Sequence, residues 1–162
     1  MANIKQHADG SASFFNDIDG AYGGRHGGPS TGTASAPTYK AAQWVKFACT
    51  GAVSTAGGVF AWRPDDQSRS HLITRLVLDV TTKSTGAATL DIGVAANATT
   101  LNDTLIDGLS VATAGTYDNI ENQGTNGVSS KKIAAGEYVT ASMASGDPAG
   151  MVATVYVEYV AI

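Results

Sequence analysis

The chain has 162 residues and one cysteine, so it suits a single domain with a leading segment and excludes an intramolecular disulfide. Charged residues make up 15% of the chain and the net charge is −4, which argues against a nucleic-acid-binding protein, because such proteins carry a basic patch. No apolar run approaches the roughly 18 residues of a membrane span, and the N-terminus has no hydrophobic signal-peptide core. We therefore expect neither membrane insertion nor secretory export.

Residues 1–40 differ in composition from the rest and predict a glycine-rich N-terminal arm. They hold seven of the nineteen glycines. They also contain large apolar side chains, which flexible linkers lack, so we expect the arm to become ordered on contact with a partner or a neighbouring subunit. A disordered leader with incidental aromatics is the alternative. The large apolar residues of the arm are Phe14, Phe15, Ile18 and Tyr22.

From residue 41 onward, short apolar runs with period-2 alternation predict a β domain over residues 41–162. Residues 97–108 are polar and are expected to form a loop or one short helical turn over the edge of the core. Residues 151–162 are apolar on parts of both faces, which predicts a central strand. The predicted strands cover residues 43–49, 58–62, 71–81, 87–95, 109–112, 128–133, 137–143 and 150–160. About eight strands without a long amphipathic helix indicate an all-β fold, an antiparallel β-sandwich or jelly roll.

Two of these strands have predicted faces. In the strand at 71–81, alternation places Leu72, Leu76, Leu78 and Val80 on one face and Ile73, Arg75, Val77 and Asp79 on the other. In the strand at 87–95, one face carries Ala88, Leu90, Ile92 and Val94, while Thr89 and Asp91 point the other way. That second pattern predicts a half-buried strand.

No catalytic constellation is visible. The glycine-rich run at 23–28 lacks the Gly-Lys-Ser/Thr ending of a phosphate loop and is better explained as a hinge. Residues 16–20 supply too few ligands for a calcium loop. His7, His26 and His71 have no metal-ligand spacing, and Cys49 lies in an apolar strand that predicts a buried, inert thiol. The sequence predicts no enzyme, no cofactor and no metal.

The aromatic residues allow two interpretations. Exposed aromatic side chains could form a sugar-binding platform, whereas aromatics within strands more often belong to a core or a subunit interface. The second interpretation is favoured, because most of these residues lie in predicted strands. The candidates are Trp44, Trp62, Tyr117, Tyr156 and Tyr159.

The sequence of residues 58–162 resembles a known family. The phrases that carry the resemblance are ITRLVLDVTT at 73–82, TGAATLDIG at 85–93, LIDG at 105–108, DN at 118–119, QGTNG at 123–127 and AGEYVT at 135–140. They are similar to capsid decoration, or cement, proteins of tailed bacteriophages. The resemblance implies a β-sandwich or jelly-roll domain that forms trimers on the outer capsid surface and ties major capsid subunits together. It also implies synthesis in the bacterial cytoplasm and a final place on the virion.

Two functional hypotheses follow. In the first, the chain is a non-enzymatic decoration protein whose β domain makes trimer contacts while its arm grips the major capsid protein. The expected capsid-binding residues are Phe14, Phe15, Ile18, Tyr22 and Arg25. In the second, the chain is a receptor- or carbohydrate-binding module of a phage tail fibre or baseplate.

Overall fold

The computed structural model describes residues 5–6, 12–13, 41–51 and 58–162. The chain divides into two units, Met1–Tyr39 and Lys40–Ile162. In the first unit, the short strands β1 (Lys5–Gln6) and β2 (Ala12–Ser13) pair antiparallel, with Lys5 opposite Ser13.

The second unit contains nine described strands and no helix among its described residues. The strands form a four-stranded sheet with the order β4-β10-β6-β7 and a five-stranded sheet with the order β3-β11-β5-β8, in which β9 also pairs with β5. All pairs are antiparallel. The strands are β3 (Gln43–Thr50), β4 (Phe60–Trp62), β5 (His71–Thr82), β6 (Ala88–Ala95), β7 (Ile106–Ser110), β8 (Gly115–Asp118), β9 (Lys131–Ile133), β10 (Tyr138–Gly146) and β11 (Val152–Ala161).

The strand order is that of a jelly roll. With β9 set aside and counting from β3, the two sheets read 1-8-3-6 and 2-7-4-5, so consecutive strands alternate between the sheets except for the β6–β7 pair, which is the order of a jelly roll built from two Greek keys. The predicted all-β antiparallel sandwich is therefore confirmed. The final strand also lies where the sequence predicts, because β11 is flanked by β3 on one side and β5 on the other.

The core lies between the two sheets and is built from their inward-facing branched residues. Leu76 and Leu78 of β5 and Val155 and Val157 of β11 are fully buried, as are Leu90 and Ile92 of β6. β11 alternates buried and half-buried residues over most of its length, which is the pattern of a strand with one face on the core.

The predicted faces of β5 are correct for only part of the strand. Leu76, Leu78 and Val80 are buried as expected, but Ile73 is fully buried while Leu72 is half-buried. The cause is a register shift against β11, where Arg75 pairs with Glu158 and Ile73 pairs with Tyr159. The extra residue reverses the alternation, and a bulge of this kind exchanges the two faces of a strand.

The prediction that β6 is half-buried was wrong. Its inward residues reach the core as expected, but Asp91, Gly93 and Ala95 on the other side are buried as well. The 96–105 loop covers this outer side, and a Cβ atom added to Gly93 would lie 2.6 Å from the backbone nitrogen of Thr104. The loop thus turns a surface strand into one that is buried on both faces.

The weakest sequence signals were shifted or missed. Residues 96–105 form a loop without a helix, which is one of the two predicted forms, but β7 begins at Ile106 rather than at the predicted residue 109. β9 covers only the last part of the predicted 128–133 strand. β8 was not predicted, because its sequence Gly-Thr-Tyr-Asp offers a single large apolar residue.

Candidate protein-binding surface

The predicted capsid-binding residues lie outside the described residues. Phe14, Phe15, Ile18, Tyr22 and Arg25 all fall in residues 14–40, so the proposed grip of the arm stays a prediction.

Cys49 is a buried thiol, as the sequence predicts. Its side chain is 2% exposed, and burial raises the pKa of the thiol to about 12. The thiolate is the reactive form of cysteine, so this residue does not fit the role of a nucleophile.

The described residues do not assemble a metal site. Within 41–51 and 58–162, no three His, Cys, Asp or Glu side chains meet in an arrangement that could hold a metal ion. His71 is buried and makes an edge contact with the ring of Tyr159, at 5.6 Å between centroids. The Asp65-Asp66 pair lies in an exposed turn, where Asp66 accepts hydrogen bonds from the backbone and hydroxyl of Ser68.

Three of the five candidate platform aromatics pack against the core. Trp62 and Tyr159 lie 5.2 Å apart between ring centroids, and Phe47 stacks on Trp62 at 6.4 Å. Tyr117 also packs against the core, and its hydroxyl donates to the carbonyl oxygen of Thr113. Phe47 and Trp62 belong to the edge strands β3 and β4, whereas Tyr117 belongs to β8 at the opposite edge of the five-stranded sheet.

The other two candidates, Trp44 and Tyr156, lie together on the solvent side of the five-stranded sheet. The strand registers place Trp44 opposite Glu158 and Tyr156 opposite Lys46, so the two rings are diagonal neighbours on β3 and β11. Diagonal neighbours are within reach of aromatic side chains. We call this surface the outer face and define it as Trp44, Lys46, Arg75, Val77, Asp118, Tyr156 and Glu158.

The outer face is organised in two cross-strand rows. One row runs from Trp44 through Glu158 to Arg75. The other runs from Lys46 through Tyr156 and Val77 to Asp118 and crosses four strands, about 14 Å at the usual strand spacing. Regular antiparallel pairing holds these side chains on one continuous sheet, which makes the surface broad and shallow.

Two of the four charged side chains on the outer face are paired with each other, and a third accepts a hydrogen bond from a neutral hydroxyl. Arg75 Nη2 lies 2.7 Å from Asp118 Oδ2, and the hydroxyl of Thr74 donates to Glu158 Oε2 at 2.9 Å. The backbone N–H of Glu121, and then Arg75, lower the pKa of Asp118 below its usual value. Among the described residues, Lys46 makes no ion pair. The face therefore presents little net charge around its aromatic residues.

Trp44 is the most exposed aromatic of this surface. Its side chain is 55% exposed, whereas Tyr156 and Val77 are half-buried. Beside it, a shallow pocket of about 330 Å³ is lined by Lys46, Phe47, Ala48, Thr154 and Tyr156. An exposed tryptophan beside half-buried apolar side chains, on a face whose two positive and two negative groups balance, has the composition of a contact surface.

The four-stranded sheet carries a second polar feature, at the pair Asp91 and Ser142, which lie opposite each other on β6 and β10. Burial raises the pKa of Asp91, although Gly108 N–H donates to its Oδ1 at 2.8 Å. The Ser142 hydroxyl is buried and makes no hydrogen bond within the described structure. The described residues supply no base bonded to this hydroxyl, so the pair lacks the geometry of an activated nucleophile.

Comparisons with known proteins do not assign this chain to a family. No protein-family model matches the chain, and no match to a curated protein or to a solved structure was found. The likeness to phage decoration proteins therefore stays an expectation from the sequence phrases. In the described residues, no helix has the length and apolar character needed to cross a membrane.

The partners of Trp44 on the outer face were not predicted as site residues. Alternation along β3 already separates Trp44 and Lys46 from the inward Val45 and Phe47. Alternation does not show which strand lies next to β3. That neighbour is β11, which comes from the opposite end of the domain. Tyr156 was among the candidate aromatic residues, but its position beside Trp44 depends on that long-range pairing.

Proposed function

We propose that this chain is a non-enzymatic virion structural protein that binds the outer surface of a phage capsid. It acts there as a homotrimer and ties neighbouring major capsid subunits together. The observation that carries the proposal is the outer face, where Trp44 is 55% exposed beside Tyr156 and Val77. Broad surfaces of this kind, aromatic and low in net charge, fit protein partners better than they fit small molecules.

The proposed mechanism is mechanical. DNA packed inside a shell pushes the capsid subunits apart, so a clamp that bridges several subunits raises the barrier to rupture. A trimer matches the three-fold and quasi-three-fold positions of the shell, and three attached arms multiply weak contacts through effective concentration. Synthesis in the bacterial cytoplasm followed by assembly onto the virion is part of this proposal.

The test of the outer face is co-sedimentation of purified full-length protein with expanded capsids of the phage that encodes it. We expect Trp44→Ser to weaken binding by about thirtyfold or more, the loss in affinity that corresponds to the roughly 2 kcal/mol of an interface hot spot. Leu101→Ser is a matched control, because Leu101 is 56% exposed but lies on the loop over the other sheet. Equal binding by the two variants would refute the role of the outer face.

The arm is tested separately in the same assay. The double variant Phe14→Ser with Phe15→Ser removes two of its apolar side chains, and Thr31→Ala with Thr33→Ala is a control pair in the same segment. Loss of binding in the first pair alone supports the grip by the arm. Light scattering of the unmodified protein measures its mass and tests the trimer directly.

A carbohydrate-binding module is the second candidate, favoured by the diagonal pair of Trp44 and Tyr156. Sugars stack on exposed aromatic rings, and Glu158, a neighbour of both aromatic positions in the sheet, carries a carboxylate that can accept a hydrogen bond. A glycan array distinguishes the candidates. Glycan binding that Trp44→Ser abolishes, together with no affinity for capsids, would favour the tail-fibre or baseplate hypothesis.

A further inference from the structure

Asn126-Gly127 is the single Asn-Gly pair of the chain. In such a pair, the backbone nitrogen of the glycine can attack the side-chain carbonyl carbon of the asparagine, because no following side chain hinders its approach. A carbon–nitrogen bond forms, ammonia leaves, and the resulting succinimide is opened by water to aspartate or isoaspartate. The net change replaces a neutral amide with a carboxylate.

Packing explains why Gly127 cannot easily be another residue. A Cβ atom at this position would lie 2.5 Å from the carbonyl oxygen of Leu105 and 2.9 Å from its carbonyl carbon. Asn126 itself is exposed, in the 119–130 loop between β8 and β9. The fold thus keeps the labile pair in contact with water.

Asn126 ties the 119–130 loop to the segment around β7. Its side-chain Nδ2 donates to Asp103 Oδ2 at 2.9 Å, and its backbone N–H donates to Asp107 Oδ2 at 3.2 Å. Two backbone bonds complete the attachment, from the N–H of Asp107 to Gln123 and from the N–H of Val128 to Thr104. The hydrogen bond from Asn126 Nδ2 to Asp103 Oδ2 restricts rotation of the asparagine side chain. This restriction slows the attack of the Gly127 nitrogen on the side-chain carbonyl carbon.

The product of the reaction does not fit this position. An aspartate at position 126 cannot donate to Asp103 and would instead add a third negative charge beside Asp103 and Asp107. Like charges in one site already have an effect here, since burial raises the pKa of Asp91 and the charges of Asp107 and Asp103 add to that increase.

We propose that Asn126 is a spontaneous deamidation site whose rate is restrained by the Asp103 contact, and that its conversion releases the 119–130 loop. The change is covalent and irreversible without repair, so it marks the age of each molecule. It requires only water as co-reactant.

The rate is tested by incubating full-length protein in mildly alkaline buffer and mapping its peptides by mass spectrometry. Deamidation adds about 1 Da, and fragment-ion spectra are expected to place the change at Asn126 and not at Asn97 or Asn122. Asp103→Ala should accelerate conversion about tenfold, the factor for losing one charge-assisted hydrogen bond. Asn126→Gln should stop it. Equal rates in Asp103→Ala and the unmodified protein would overturn the restraint.

The consequence is tested by hydrogen exchange on Asn126→Asp, which copies the main charge change. The amides of Asp107 and Val128, which bond across the attachment, should lose protection by several-fold. The amide of Leu105 bonds to the carbonyl of Ile92 in β6 rather than to the 119–130 loop, and it is the internal control. Unchanged protection of Asp107 and Val128 would overturn the release of the loop.

Discussion

The backbone N–H of Leu76 donates a hydrogen bond of 2.7 Å to the side-chain Oδ1 of Asn119. The backbone N–H of Asn119 donates in turn to the carbonyl of Leu76. If β8 continued by one residue, the backbone carbonyl of Asn119 would accept the N–H of Leu76. The side-chain oxygen of Asn119 takes the place of that carbonyl. This extends the ladder of β8 by one position after its backbone has turned away.

The Asn119 side chain fills a gap along one edge of the five-stranded sheet. One edge of β5 is covered by β8 at Val77–Val80 and by β9 at His71–Ile73, which leaves a gap between them. Asn119 lies in that gap, and its Nδ2 donates to the carbonyls of Val128 and Ser129 in the chain leading to β9. One fully buried amide thus joins two short strands to the same edge.

We predict that Asn119→Ala lowers the free energy of unfolding by about 2–4 kcal/mol, because it leaves the buried N–H of Leu76 and two carbonyls without their partner. Urea denaturation measures this loss. Asn97→Ala is the matched control, since Asn97 accepts its hydrogen bonds in an exposed turn and should cost less than about 1 kcal/mol. Similar losses in the two variants would contradict the role of Asn119.

We predict that Gly93→Ala destabilises the domain by about 1–3 kcal/mol, because the added methyl group requires the 96–105 loop to move off β6. The Cβ atom would lie 2.6 Å from the Thr104 nitrogen. Gly86→Ala is the control, because no atom lies within 4 Å of the Cβ position there. Thermal denaturation of both variants gives the comparison, and a neutral Gly93→Ala would mean that the loop yields at little cost.

These two positions also explain why the sequence predicted only part of the structure. Alternation in β6 is local, so its core face and the all-β class could be predicted. Asn119 acts on Leu76, 43 residues away, and Gly93 is buried by a loop that period-2 alternation does not describe. The bulge at Thr74 has the same origin, because it depends on the register against Tyr159 and Glu158 rather than on β5 alone.

The outer face, too, depends on long-range strand pairing that the sequence pattern does not describe. Trp44 and Tyr156 could each be predicted as strand aromatics, but their separation from Trp62 and Tyr159 depends on the pairing of the first and last strands of the domain. The sequence pattern could not decide which aromatics belong to the core, since a one-residue change of register would exchange the two sets.

We predict that Asp91→Asn stabilises the domain at neutral pH. The amide keeps an acceptor for the N–H of Gly108 and removes a buried charge. Burial raises the pKa of Asp91 in the folded protein, so the folded state binds this proton more tightly than the unfolded state does. The ionised group therefore costs stability above its folded pKa, and the cost disappears as the pH falls below the unfolded value of 3.8.

The measurement is the difference in unfolding free energy between Asp91→Asn and the unmodified protein across the acidic range. We expect a positive difference at neutral pH that shrinks towards zero on acidification. Asp66 and Asp118 act in the opposite direction in both proteins, because their lowered pKa values give stability that is lost as the pH falls. They cancel in the difference. A less stable Asp91→Asn at neutral pH would show that the carboxylate gains more from Gly108 than it loses through burial.

We predict that Cys49 resists alkylation in the folded protein. Burial raises the pKa of its thiol to about 12, so almost none is in the thiolate form at neutral pH, and its 2% exposure also blocks the reagent. Labelling should therefore proceed through opening of β3, and its rate should rise steeply with urea. Mass spectrometry after iodoacetamide treatment measures the labelled fraction, with fully denatured protein as the positive control. Fast labelling in the absence of urea would show that the edge strand β3 separates from β11 far more readily than its unbroken register of eight pairs indicates.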